Sequence, residues 1–167
     1  PEQETGRVVT TPEHYAFIKI AEGCDNRCSY CIIPYLRGKY RSRPMDAIVS
    51  EAKALVASGY RELIVVAQDI TRYGTDLYGK KSLCKLLREL CAIEDLKWIR
   101  LHYLYPDEID DELIEVIAER LEFYNAKNIV VDPVMVATAG SALMKTPEKV
   151  GEIAVLQHVF QYKFILP

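Results

Sequence analysis

Three cysteines, Cys24, Cys28 and Cys31, stand at the spacing C-x3-C-x2-C within the run Gly23-Cys24-Asp25-Asn26-Arg27-Cys28-Ser29-Tyr30-Cys31. Thiols this close along a chain can converge on one metal centre, and their number bears on which. A structural zinc site is closed by four ligands, and no fourth donor at suitable spacing stands nearby. A 4Fe-4S cubane held by three thiolates keeps one iron open, which is what a chelating substrate needs. Gly23 and the polar residues between the cysteines argue for a loop rather than three thiols of a core. Zinc in a small interaction module is the competing reading.

The elements that must position this loop follow from local patterns. Ala16-Phe17-Ile18-Lys19-Ile20-Ala21 alternates as a short strand does, so the cysteines sit where a first strand ends. In parallel α/β proteins function collects at that end. Pro44 suits the first turn of a helix of roughly four turns, with Ile48, Ala52, Leu55 and Val56 at helical spacing and Gly59 as its stop. Glu62-Leu63-Ile64-Val65-Val66-Ala67 has the apolar, β-branched composition of a strand covered on both faces, and it delivers Gln68 and Asp69 to the same end of the sheet. Residues 70–79 form a loop long enough to be functional. Ser82 can cap a second helix with Leu83, Leu86, Leu87, Leu90 and Cys91 on its buried stripe; Cys84 and Cys91 are read as core thiols. Trp98 to Tyr105 is a third strand stopped by Pro106, and Asp107, Asp110 and Asp111 open a third helix whose buried face is Ile109, Leu113, Ile114 and Ile117. The order is a βαβ repeat.

Four cationic residues, Arg37, Lys39, Arg41 and Arg43, follow the cysteines and read either as a carboxylate or phosphate contact or as a solvated loop. His102 is either a base or substrate contact or a satisfied strand histidine. The chain has 167 residues, half of them hydrophobic, and a formal net charge of -3. That supports one core but falls short of a complete β/α barrel, which needs about 200 residues or more. No apolar run approaches the roughly 18 residues of a membrane span, and no signal peptide opens the chain. Five cysteines, an odd number with three in one loop, suit a reducing cytoplasm.

The C-x3-C-x2-C loop after a first strand resembles the radical S-adenosylmethionine (SAM) superfamily. Within it, residues 14–118 resemble the methylthiotransferases. Ile33-Pro34, Arg37-Gly38 and Arg41-Ser42-Arg43-Pro44 are similar to both of that family's branches, the tRNA and the ribosomal-protein one. Ala67-Gln68-Asp69, Thr71-Arg72-Tyr73-Gly74, Leu77-Tyr78-Gly79 and Arg100-Leu101-His102-Tyr103-Leu104-Tyr105-Pro106 resemble the ribosomal-protein branch, the RimO type. The resemblance implies a 4Fe-4S cluster on Cys24, Cys28 and Cys31, SAM on its open iron, Tyr30 against the adenine, and Gln68 and Asp69 at the methionyl amino group. It implies a substrate aspartate on a small-subunit ribosomal protein and an electron donor that reduces the cluster. Neither a membrane nor a nucleic acid is expected as partner of this chain alone.

From about Glu119 the sequence changes character. Residues 125–141 resemble a segment of the hydroxymethylpyrimidine and phosphomethylpyrimidine kinases, without that family's catalytic aspartate and anion hole. The expected organisation is a linker at 1–13, a truncated radical SAM core at 14–118 and a foreign segment at 119–167. The methylthiotransferases' second-cluster domain and RNA-binding β domain have no counterpart here, so the alternatives to a fragment of the ribosomal-protein branch are a fragment of a tRNA methylthiotransferase and an inactive chimeric fragment without catalysis. The expected fold is a partial parallel β/α barrel of about four parallel strands with flanking helices. Its fourth strand, Lys127-Asn128-Ile129-Val130-Val131, is expected beside the third, with the tail as an added strand.

Overall fold

The computed structural model describes residues 9–28, 31–105, 108–123 and 164–166. The first strand, β1 (Tyr15–Lys19), alternates as expected, with Ala16 and Ile18 buried and Phe17 half out. The chain then makes the two-residue strand β2 (Ala21–Glu22), the cysteine loop, the short helix α1 (Ile33–Arg37) and the two-residue strand β3 (Arg41–Ser42). β2 and β3 pair antiparallel, Ala21 opposite Ser42 and Glu22 opposite Arg41.

Helix α2 (Met45–Ala57) buries Ile48, Ala52, Leu55 and Val56, the expected stripe, and stops before Gly59. Strand β4 (Glu62–Val66) buries Leu63, Ile64 and Val65 in succession, as a strand covered on both faces must. Helix α3 (Leu83–Cys91) departs from expectation at two points. Ser82 takes the N-cap position, but its hydroxyl donates to the Lys80 carbonyl rather than capping. Cys84, not Cys91, completes the buried stripe with Leu83, Leu86, Leu87 and Leu90. Strand β5 (Trp98–Leu101) is shorter than expected: His102 N still donates to Val65 O, but Tyr103 turns into the left-handed region at φ 64° and the strand ends. Helix α4 (Asp111–Phe123) begins where Asp110 Oδ1 accepts from Leu113 N and buries Leu113, Val116 and Ile117. It runs unbroken through 118–120, where the sequence changes character.

β4 lies between β1 and β5, parallel to both, with Ala16 opposite Leu63 and Leu63 opposite Ile99. The fourth strand is not the expected one. Residues 128–132 lie outside the described residues, and the free edge of β5 is taken instead by β6 (Phe164–Leu166), antiparallel, with Ile99 opposite Leu166 and Leu101 opposite Phe164. Antiparallel bonds run straight across the strands and are slightly stronger per residue, so a short apolar tail can fill that edge. The sheet is thus three parallel strands with flanking helices and one reversed edge strand, and the described residues close no barrel.

Candidate metal and cofactor site

The site is built where β1 and β4 end. Beyond Lys19 the chain is held by Ile20 N donating to Val66 O and by the β2–β3 pair, then turns at Gly23. Only glycine suits this turn: φ is +79°, and a Cβ would lie 2.2 Å from Lys39 O and 2.6 Å from Gly38 O. That close approach lets Cys24 N donate to Gly38 O at 3.1 Å and Asp25 Oδ1 accept from Tyr40 N at 3.1 Å. Tyr40 is buried and its hydroxyl donates a hydrogen bond to Asp69 O at 2.8 Å, so residues 38–40 brace the cysteine loop and the end of β4 at once.

All five cysteines are free thiols. Cys24 is buried, Cys28 and Cys31 are half-buried, and Cys31 N donates to Cys28 O at 3.0 Å. Burial pushes the Cys24 thiol up, a hydrogen bond from the Asn26 backbone opposes it, and the charge of Asp69 adds to the rise. Among the described residues no three His, Cys, Asp or Glu side chains are already gathered closely enough to hold an ion. A cavity of about 330 Å³ opens beside Cys24, lined also by Asp25, Arg27, Pro34, Gly38 and Lys39.

At the end of β4, Gln68 Oε1 is buried without a hydrogen-bond partner. Asp69, 1% exposed, is fully engaged: Oδ1 accepts from the backbone N–H and hydroxyl of Thr71, and Oδ2 accepts from Asn26 Nδ2. Burial pushes its carboxyl up, against the opposing pull of the Thr71 and Asn26 bonds. Tyr30 lies outside the described residues. His102 stands at the end of β5 with its ring edge-on to Tyr103. The basic run stays largely at the surface: Arg37, Lys39 and Arg41 are exposed and only Arg43 is half-buried, where it bonds Lys19 O and Glu51; Arg41 bonds the carbonyls of Arg37 and Lys39, and of the four only Lys39 lines the cavity. The structure therefore brings the cysteine loop, Gln68 and Asp69 to one end of the sheet. It adds Asn26, Tyr40 and Arg72, which sequence reasoning passed over. The one available signal was an asparagine set midway between two cysteines.

Compared with known proteins, residues 18–131 match the radical SAM superfamily profile. The chain belongs to that superfamily. A second profile, phosphomethylpyrimidine kinase, matches residues 109–159 and overlaps the first. Among radical SAM relatives, a protein of Lachnoclostridium phytofermentans named ribosomal protein uS12 methylthiotransferase RimO is 60% identical over 116 residues, 70% of this chain and 26% of that protein. One of the same name from Trichlorobacter lovleyi is 54% identical over 130 residues, 78% of this chain and 29% of that protein. The chain thus spans about a quarter of the length of the curated relatives it matches. The radical SAM methyltransferase TsrM of Kitasatospora setae, solved with tryptophan and a SAM analogue, aligns with a TM-score of 0.54 over 86% of this chain and 28% of that one. At 19% identity that likeness is one of fold.

Proposed function

We propose that the chain is the cofactor-binding part of a radical SAM methylthiotransferase, of the kind whose whole form methylthiolates an aspartate of ribosomal protein uS12. The observation that carries this reading is a juxtaposition: three free thiols on the loop leaving β1, beside a strand end where Gln68 Oε1 is a buried acceptor without a donor. A cluster and SAM suit this site in chemistry. Three thiolates match an open-site cubane, and an orphaned buried amide oxygen is a vacancy for an N–H donor such as the methionyl ammonium. When bound, that pair supplies one-electron cleavage chemistry aimed at a carbon–hydrogen bond of the substrate.

In this reading Cys24, Cys28 and Cys31 hold the cluster, Gln68 orients the amino end of SAM, and Asp69 braces the strand end. The family resemblance would give Tyr30 to the adenine. The electron enters from a separate one-electron donor, and five free thiols suit a reducing cytoplasm. Among the described residues no helix is long and apolar enough to cross a membrane. We also infer a join of two descents near 118–120, supported by the overlapping profile matches, with no kinase chemistry assigned to the second.

Anaerobic reconstitution with iron and sulfide tests the assignment. The wild-type chain is expected to bind about four irons, to lose them when Cys24, Cys28 or Cys31 becomes Ala, and to keep them when Cys84 and Cys91 change together. Equal loss in the double variant overturns the reading, and so does zinc in place of iron after anaerobic purification.

A further inference from the structure

Besides the Tyr40 hydroxyl on Asp69 O, the cysteine loop meets the end of β4 through a side chain of the cysteine motif itself. Asn26 Nδ2 donates to Asp69 Oδ2 at 3.1 Å, while Arg72 Nη1 donates to Asn26 Oδ1 at 3.3 Å. Asp69 is 1% exposed, and its other oxygen is already served by Thr71. A buried carboxylate oxygen requires a donor, and Asn26 is the residue that reaches it across the loop. A primary amide carries donor and acceptor on one plane, so a single asparagine can join a carboxylate to a guanidinium. Aspartate in its place would set a negative charge against Asp69, and alanine would leave both partners unserved.

Asn26 sits midway between Cys24 and Cys28. On its far flank the loop is pinned by backbone packing of Gly23 and Cys24 against residues 38–40. On the β4 flank, next to Gln68, Asn26 holds the Asp69 carboxylate while the Tyr40 hydroxyl holds only its backbone carbonyl. We propose that Asn26 is a positioning residue that sets the spacing between the cysteine loop and the Gln68 edge. It thereby governs affinity for an amino-acid sulfonium such as SAM, while iron binding is left to the thiols. This inference rests on the cofactor reading above.

The full chain carrying Asn26→Ala, Asn26→Asp, Arg72→Met or the Asn26→Ala/Arg72→Met pair is reconstituted beside wild type. Each is read by iron content, by melting temperature and by the SAM concentration that half-changes the paramagnetic-resonance spectrum of the reduced chain. Iron content is expected to hold, while the two Asn26 variants need roughly 10- to 100-fold more SAM. Arg72→Met should shift the same way by less, and should add nothing in the Asn26→Ala background, because its link runs through Asn26. If an Asn26 variant does not fold, Arg72→Met decides. A half-change concentration within about twofold of wild type in every variant overturns the proposal, as does loss of iron from a folded Asn26→Ala chain or full additivity in the pair. A wild-type chain that loads iron but shows no response to SAM defeats the cofactor reading itself, and this inference with it.

Discussion

Replacing Gly23 with Ala tests how tightly the cysteine loop is seated. At φ +79° an L-residue costs roughly 1–2 kcal/mol relative to glycine. The new methyl would also begin 2.2 Å from Lys39 O, 2.6 Å from Gly38 O and 2.7 Å from Lys39 C, all of them backbone atoms that no rotamer change can move. Relief requires residues 38–40 to shift away, which strains the Cys24 N to Gly38 O and Tyr40 N to Asp25 bonds. Overpacking of that kind costs roughly 1–3 kcal/mol, for a total of about 2–5 kcal/mol. With roughly 2–4 °C lost per kcal/mol in a chain of this size, the midpoint of thermal unfolding should fall by about 4–20 °C. Gly59→Ala is the control: φ there is +103°, but nothing lies within 4 Å of the added carbon, so it reports backbone strain alone. Far-ultraviolet circular dichroism of both variants without cofactor gives the comparison. If Gly23→Ala melts no lower than Gly59→Ala, the close approach of Gly23 to residues 38–40 is wrong.

Two further expectations concern groups outside the site. Asp76 ties β3 to the 70–79 loop, its carboxylate accepting from Ser42 N at 2.9 Å and from Ser42 Oγ at 2.6 Å. Partial burial pushes that carboxyl up, but the Ser42 bonds outweigh it and hold it below its ordinary value of 3.8. A carboxyl lowered by folding stabilises the chain above its unfolded value and stops doing so as pH falls through its folded one. The urea midpoint of Asp76→Asn should therefore lie furthest below wild type at neutral pH and converge with it in acid, and a gap that does not change with pH would count against the Ser42 bonds. Burial on α3 pushes the Cys84 thiol up to about 11, so at pH 8 only about one molecule in a thousand carries the thiolate. Iodoacetamide should spare Cys84 in the folded chain and label it in urea, as read by peptide mass, and equal labelling would contradict the α3 packing.

What was legible in the chain was local. Strand β4 and the stripe of α2 show because neighbouring side chains settle them: an apolar β-branched run in one, helical spacing in the other. The cysteine loop shows because its three donors are close in sequence. What escaped depends on the chain returning to itself. Asn26 and Asp69 are 43 residues apart, and nothing beside either one announces the other. Ser82 looks like a cap until Lys80 O competes for its hydroxyl, and β5 looks longer until Tyr103 turns left-handed. By local pattern the edge beside β5 belongs to the nearest apolar run, because a crossover from α4 favours an adjacent parallel partner. Phe164–Leu166, distant in sequence, takes it with the opposite polarity.

The small β2–β3 ladder has a consequence for how the thiol loop behaves. Pairing Ala21 with Ser42 and Glu22 with Arg41, reinforced by Arg43 N donating to Ile20 O, zips the chain shut at the neck of residues 23–40. All three cysteines of the cluster motif lie above that neck. The entropy of closing the loop is therefore met at its base, whatever the segment above it does. The fold thus carries the thiol loop on a mount of its own, apart from the ladder of the three-stranded parallel core. Amide hydrogen exchange should then divide at the neck, with loading of a ligand slowing exchange across 23–40 and leaving β4 and β5 as they were.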